Sequence, residues 1–237
     1  MIYALVSIFI LMWSFYIYHV IVGKRLRGFY FKGLTSFLFI AVFFYSIFFQ
    51  NISLFGEPSL LLLLVGELKL ILYMGLGLVL GLVGDLILEI QYFHDTHKNE
   101  QISMGMLAFG LGHIFYILAL SSYYAFSYWA LIIGLVMVIV VHFGSQFMKI
   151  DFQSLKLMSY IYTFVIFTMV GLSVIVYINH QTQASLIFMM GALLFGISDL
   201  LLAPIYFKAE KSKLFVIGNL ATYYLGQLFI ALSILFI

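Results

Sequence analysis

The chain has 237 residues, of which 65% are hydrophobic and only 8% charged. Soluble domains carry about 25% charged residues, so a water-facing surface is missing here and the long uncharged runs indicate a polytopic, all-α membrane protein. A net charge of +2 is too small to imply a nucleic-acid partner, and the absence of cysteine excludes disulfides and thiolate chemistry.

Eight apolar stretches are long enough to cross a hydrocarbon core of roughly 30 Å. They cover residues 2–22, 33–51, 70–92, 102–122, 126–147, 156–178, 184–206 and 214–237. The first is followed by Lys24, Arg25 and Arg27 and has no basic start or A-x-A site, so it reads as a retained helix and not a signal peptide. The second opens at Gly33, just after Lys32. Between the second and third, residues 52–69 read as a loop with a short interfacial helix, because Glu67 and Lys69 follow the apolar run 59–66. The third carries "GLVGDLILE" at 81–89, with Asp85 in its middle and glycines at 77, 81 and 84 that suit close helix packing.

In the loop that follows, His94, Asp95 and His97 have a metal-like spacing, but no second cluster completes four ligands. The fourth stretch holds His113 and Tyr116, three apart and so on one helix face. His142 and Gln146 close the fifth, where interfacial packing is the better reading, and Lys156 opens the sixth. The seventh carries "FGISDLLLA" at 195–203 with Asp199, and the eighth holds Tyr224 and Gln227, again three apart. Nothing matches a phosphate loop, a serine nucleophile elbow or a zinc-protease helix, and no metal or cofactor is expected.

Every Lys and Arg except Lys69 falls in a loop after an odd-numbered stretch. The positive-inside rule then predicts cytoplasmic odd loops, with both termini outside. One membrane domain is expected throughout 1–237, with repeat halves of about 1–122 and 126–237. A shift of 114 residues carries Asp85 onto Asp199, Tyr92-Phe93 onto Tyr206-Phe207, and "LGHIF" (111–115) onto "LGQLF" (225–229). Copies separated by an even number of crossings run in the same direction, so this is a parallel, four-plus-four repeat about an axis along the membrane normal. Lys32 before the second stretch and Lys156 before the sixth extend the echo.

The repeat gives the aspartates meaning. Both lie about seven residues, or roughly 10 Å, from the cytoplasmic ends of their helices, where a pseudo-twofold axis lets them face one another across a cleft. An Asp at a helix centre costs roughly 2.5–3.5 kcal/mol to insert. No Lys or Arg falls within the apolar part of any stretch, so ion pairing is not expected and a water-filled cavity is. Two carboxyls in one such cleft cannot easily both ionise. One neutral acid beside one carboxylate is the general acid and base of a hydrolase. An aspartate that only caps a polar network between helices is the plainer alternative, weakened by the match between the copies.

"LGLVGDLILE", "FGLGHIFYI", "GALLFGISDLLLA" and "ATYYLGQLFIALS" together resemble the YhhN/TMEM86 family of eight-helix membrane proteins. Its short signatures correspond to Gly84-Asp85, Gly112-His113, Ser198-Asp199 and the Tyr223-to-Gln227 pair, with Lys32 and Tyr162 also matching. Gly33 departs from it, standing where the family often has proline. The resemblance implies a lysoplasmalogenase that hydrolyses the alkenyl ether of a lysophospholipid to a fatty aldehyde and glycerophosphocholine or glycerophosphoethanolamine. The substrate it implies is a lysoplasmalogen; membrane lipids are the other expected partners, and a bacterial plasma membrane is the expected location. Asp85 and Asp199 would then form the catalytic dyad. His113, Tyr116, Tyr224 and Gln227 would position water and the ether oxygen, and Lys32 would hold the lipid phosphate. A proton-coupled small-molecule or lipid transporter is the non-enzyme alternative. An intramembrane aspartyl protease fits less well, because residues 81–85 read Gly-Leu-Val-Gly-Asp instead of Gly-x-Gly-Asp and no Pro-Ala-Leu motif follows.

Overall fold

The computed structural model describes residues 2–49, 61–90, 98–208 and 212–237. Among them, eight helices are long and apolar enough to span a membrane, and no strand occurs. They are α1 (Ile2–Ile21), α2 (Arg25–Phe49), α3 (Leu61–Ile90), α4 (Lys98–Tyr123), α5 (Trp129–Phe147), α6 (Lys156–His180), α7 (Gln183–Phe207) and α8 (Lys213–Ser233).

Local chemistry sets the turns between them. Gly23 takes φ +76°, a conformation that only glycine adopts without strain. Its N–H donates to the Val20 carbonyl at 3.2 Å, while the Lys24 N–H reaches back to the His19 carbonyl at 2.9 Å. That double closure is a Schellman cap, and it ends α1 with Gly23 two residues before α2 begins. At the other tight turn, Gln181 is left-handed and Thr182 caps α7 through a reciprocal capping box with Ser185.

Two boundaries differ from the sequence reading. The second helix starts at Arg25, not at 33, because the cap at Gly23 permits a helix to begin at once. Arg25 and Arg27 stay exposed while Lys32, two turns in, points inward and is 6% exposed. The third helix runs through Glu67 and Lys69 instead of starting after them. Its 30 residues span about 45 Å, longer than the apolar core, so a half-buried Glu67 and an exposed Lys69 fall near its far end. The rest of the expected interfacial segment, 52–60, lies outside the described residues, as do His94, Asp95 and His97.

Neighbours repeat after four helices. Helices α1 and α2 pack together, as do α2 and α3, and α3 and α4; the same chain of contacts links α5 to α6, α6 to α7 and α7 to α8. The cross-contacts obey the same rule, since α4 packs on α6 as α8 packs on α2. The tightest crossings are equivalent in detail. A Cβ on Gly112 would lie 3.1 Å from the Gly77 carbonyl, and one on Gly226 would lie 2.9 Å from the Gly191 carbonyl. The 114-residue shift maps 77 onto 191 and 112 onto 226, so both hairpins cross backbone to backbone where the small residue recurs.

Helices α1 and α5 are the most peripheral, turning apolar side chains such as Leu11, Phe15, Ile139 and Phe143 outward. The inner faces meet in a core that includes Phe9, Phe39, Phe43, Tyr116, Phe195 and Tyr224. Arg25, Lys98, Lys156 and Lys213 open the even-numbered helices, and Lys149 and Lys208 follow α5 and α7. In an alternating bundle all of these fall at one end.

Candidate functional site

A cavity of 410 Å³ enters the bundle from that basic end, between the two hairpins. Arg25, Lys98 and Lys213 contribute to its lining, and deeper in lie Lys32, Asp85, Glu89, Asp199 and Tyr223. The two matched aspartates therefore share one cavity, although they come from α3 and α7, in different halves of the chain.

Their surroundings differ sharply. Asp85 is 3% exposed and accepts hydrogen bonds on Oδ2 from Ser36 Oγ and from the Tyr223 hydroxyl, both at 2.6 Å. Such lengths are those of O–H donors bonded to an ionised acceptor. On its other oxygen, Lys32 Nζ approaches Oδ1 at 3.6 Å. The same ammonium lies 3.3 Å from Glu89 Oε2, and the Tyr16 hydroxyl donates to that oxygen at 3.4 Å. Asp85 is thus held by a cation and two hydroxyls in one buried polar network, a setting that suits a carboxylate.

Asp199 has no ion-pair partner among the described residues. It is half-buried in the cavity wall, Tyr162 of α6 is its hydrogen-bond donor, and its Oδ2 is enclosed with no partner. A carboxylate left in that state carries an uncompensated desolvation penalty, whereas a carboxylic acid does not. No hydrogen bond joins Asp85 to Asp199. The two carboxyls are held separately, Asp85 beside a cation and Asp199 without one.

This corrects the expectation that ion pairing is impossible. A helix expected to open at Gly33 leaves Lys32 in the preceding loop. Once the helix begins at Arg25, Lys32 is a buried residue facing α3. Lys32 meets two carboxylates, and its expected counterpart Lys156 is exposed at the start of α6. Beside Asp199 stands Tyr162, which carries no positive charge.

The other expected residues form a packed layer beyond the cavity and do not line it. His113 is 1% exposed, sits edge-on to Phe195 with ring centroids 4.6 Å apart, and its Nε2 is 3.5 Å from the Tyr162 hydroxyl. The Tyr116 hydroxyl donates to Gln227 Oε1 at 2.9 Å. Tyr224 touches Ser36 at 3.2 Å and so reaches Asp85 through one intervening hydroxyl. Gly81 makes room for this layer, since a Cβ there would lie 2.6 Å from Gln227 Nε2. His142 bonds to Tyr160 at 2.8 Å and to Gln146 at 3.1 Å near the basic end, which is a packing role.

Glu89, Ser36 and Tyr16 are site residues that the sequence reading passed over. Glu89 had a usable signal: it is four residues after Asp85, hence on the same helix face. Ser36 and Tyr16 had none, because a hydroxyl in an apolar run looks the same whether it faces lipid or a carboxylate. Asn219 of α8 also lines the cavity, donating to the Ser198 carbonyl at 2.9 Å and to Ser198 Oγ at 3.0 Å. That pair fixes the turn of α7 that carries Asp199.

No curated protein and no solved structure matches the chain. The family comparison gives a positive result, with a match over residues 59–234 that takes in α4 to α7 whole, all of α3 from Leu61 and all of α8. Both aspartates and the residues donating to them from α6 and α8 fall inside it, and the chain belongs to the YhhN family.

Proposed function

We propose that this protein is a lysoplasmalogenase, a membrane hydrolase that cleaves the alkenyl ether bond of a single-chain phospholipid to a fatty aldehyde and a glycerophospho-alcohol. The observation that carries the reading is the single cavity lined by one charge-paired and one unpaired aspartate, with lysines at its mouth. The lysines suit a phosphate, and the two carboxyls suit the bond.

A vinyl ether is inert until an acid protonates its β-carbon. Asp199 is assigned as that acid, because its lack of a cation favours the form that holds a proton. Proton transfer to carbon converts the ether to an oxocarbenium ion and leaves Asp199 as a carboxylate. Asp85, already anionic and fixed by Lys32, Ser36 and Tyr223, stabilises the positive charge as it develops. Water adds to the oxocarbenium carbon and loses a proton to Asp199, which restores the acid. The hemiacetal then breaks its bond to the glycerol oxygen, which takes the hydroxyl proton, and the aldehyde departs. Proton count and charge close over the cycle.

The test is incubation of purified protein in detergent with choline and ethanolamine lysoplasmalogens and their saturated ether analogues. Aldehyde release from the alkenyl substrates alone is the expected result. Cleavage of the saturated ether would contradict protonation at carbon, and no turnover on either substrate without a membrane gradient would favour the transporter reading.

A further inference from the structure

A second cavity, of 70 Å³, opens between α4, α6 and α7. It shares Asp199, Leu88, Phe109, Leu202 and Tyr206 with the larger one, so the two join at the unpaired aspartate. The second is the less polar of the two. The large cavity has Lys32, Glu89 and the lysines at its mouth, while the second is walled by side chains such as Ile102, Met106, Ile166, Phe167 and Ala203. Such a pair has the shape of an amphiphile bent at the point where its polar and apolar parts meet.

We infer that this side arm is the binding site for the hydrocarbon chain next to the scissile bond, with Asp199 at the junction of head group and chain. The inference rests on the proposed function for the identity of that lipid. Size limits how much chain is held. At about 10–15 Å³ of such volume per water-sized occupant, 70 Å³ takes only about five to seven of them. The arm therefore grips the first few carbons, and the rest of the chain lies outside it. The wall that α6 contributes, from Ser159 to Phe167, runs about 12 Å along the helix axis. Away from Asp199 the wall is mainly apolar, which suits a hydrocarbon chain.

Photocrosslinking can test this without relying on catalysis. The probe is a saturated alkyl-ether lysophosphocholine with a diazirine on one of the chain carbons nearest the oxygen, added to the purified native-sequence protein. Labelling that an excess of unlabelled saturated lysolipid suppresses is mapped by peptide mass spectrometry. The expected sites are on α6 and α7, around Ile166, Phe167 and Ala203. Suppressible labelling confined to other helices would overturn the inference even if the enzyme hydrolyses lysoplasmalogens. Labelling in the arm with no hydrolysis would retain the chain site and remove the proposed reaction. A second readout is Ala203→Phe, which fills the arm. It should raise KM for long-chain substrate several-fold and abolish labelling of α6, while circular dichroism reports an intact bundle. Unchanged KM together with unchanged labelling would likewise overturn the inference.

Discussion

At the scale of single residues, the two aspartates make the same type of side chain do different work through what surrounds it. Asp199→Asn exchanges one unpartnered polar atom for another, so thermal stability in detergent should change little. Aldehyde release should fall by about 10²–10⁴-fold, the usual worth of a positioned acid. Asp85→Asn is expected to impair both. Its amide cannot accept two short O–H bonds and a cation as the carboxylate does, so melting temperature and activity should drop together. Lys32 gives the complementary experiment. Lys32→Met leaves Asp85 and Glu89 as two buried, uncompensated charges, and breaking a buried pair in this way costs about 3–5 kcal/mol. Adding Glu89→Gln should recover part of that loss, because one stranded charge is removed. A double-mutant cycle measured by thermal unfolding reads the coupling directly. Strict additivity would mean that Glu89 does not share the lysine.

At the scale of helices, apolar length made all eight spans legible, while charged residues misplaced two of their starts. Lys32 looked like the last residue of a basic loop because nothing local to it reveals that Asp85 and Glu89, more than fifty positions away, will accept it. The repeat was legible for a physical reason, since the shift that aligned the aspartates also aligned glycines whose backbones touch. Those crossings should be intolerant of even a methyl group. A Cβ on Gly226 would lie 2.9 Å from the Gly191 carbonyl and 3.1 Å from the Phe195 nitrogen, and backbone cannot swing aside as a side chain can. Gly226→Ala should therefore destabilise by about 1–3 kcal/mol, the range for overpacking. Gly144 in α5 has open space around its Cβ direction, so Gly144→Ala should be neutral or stabilise by about 0.4–1 kcal/mol by restricting the unfolded chain. Equal effects at both positions, measured by thermal unfolding in the same detergent, would mean that the hairpins do not cross as described.

At the scale of the whole molecule, the proposed function requires the fold to separate two tasks, chemistry and recognition of charge. Chemistry is placed below the end of the bundle, in a layer where a carboxyl can keep its proton. Recognition of charge is placed at the rim, where Lys98 and Lys213 are exposed beside the mouth. The halves are related by the repeat but have diverged at this point, since Lys32 stands beside one aspartate and Tyr162 beside the other. In the proposed reaction that asymmetry gives the two acids different roles, Asp85 as the anion and Asp199 as the proton donor. It also separates the kinetic consequences of substitution. Lys98 and Lys213 are remote from the bond, so they attract substrate and transition state alike, and removing uniform binding of that kind raises KM without lowering kcat. Lys98→Gln with Lys213→Gln should accordingly raise KM for a phosphate-bearing lysolipid several-fold and leave kcat unchanged. Because both side chains are in water, salt should screen their attraction. The KM of the unsubstituted protein should climb toward that of the double variant as salt is raised, and the two curves should converge. A fall in kcat in the double variant, or a KM difference that persists at high salt, would place these lysines in the chemistry and not at its entrance.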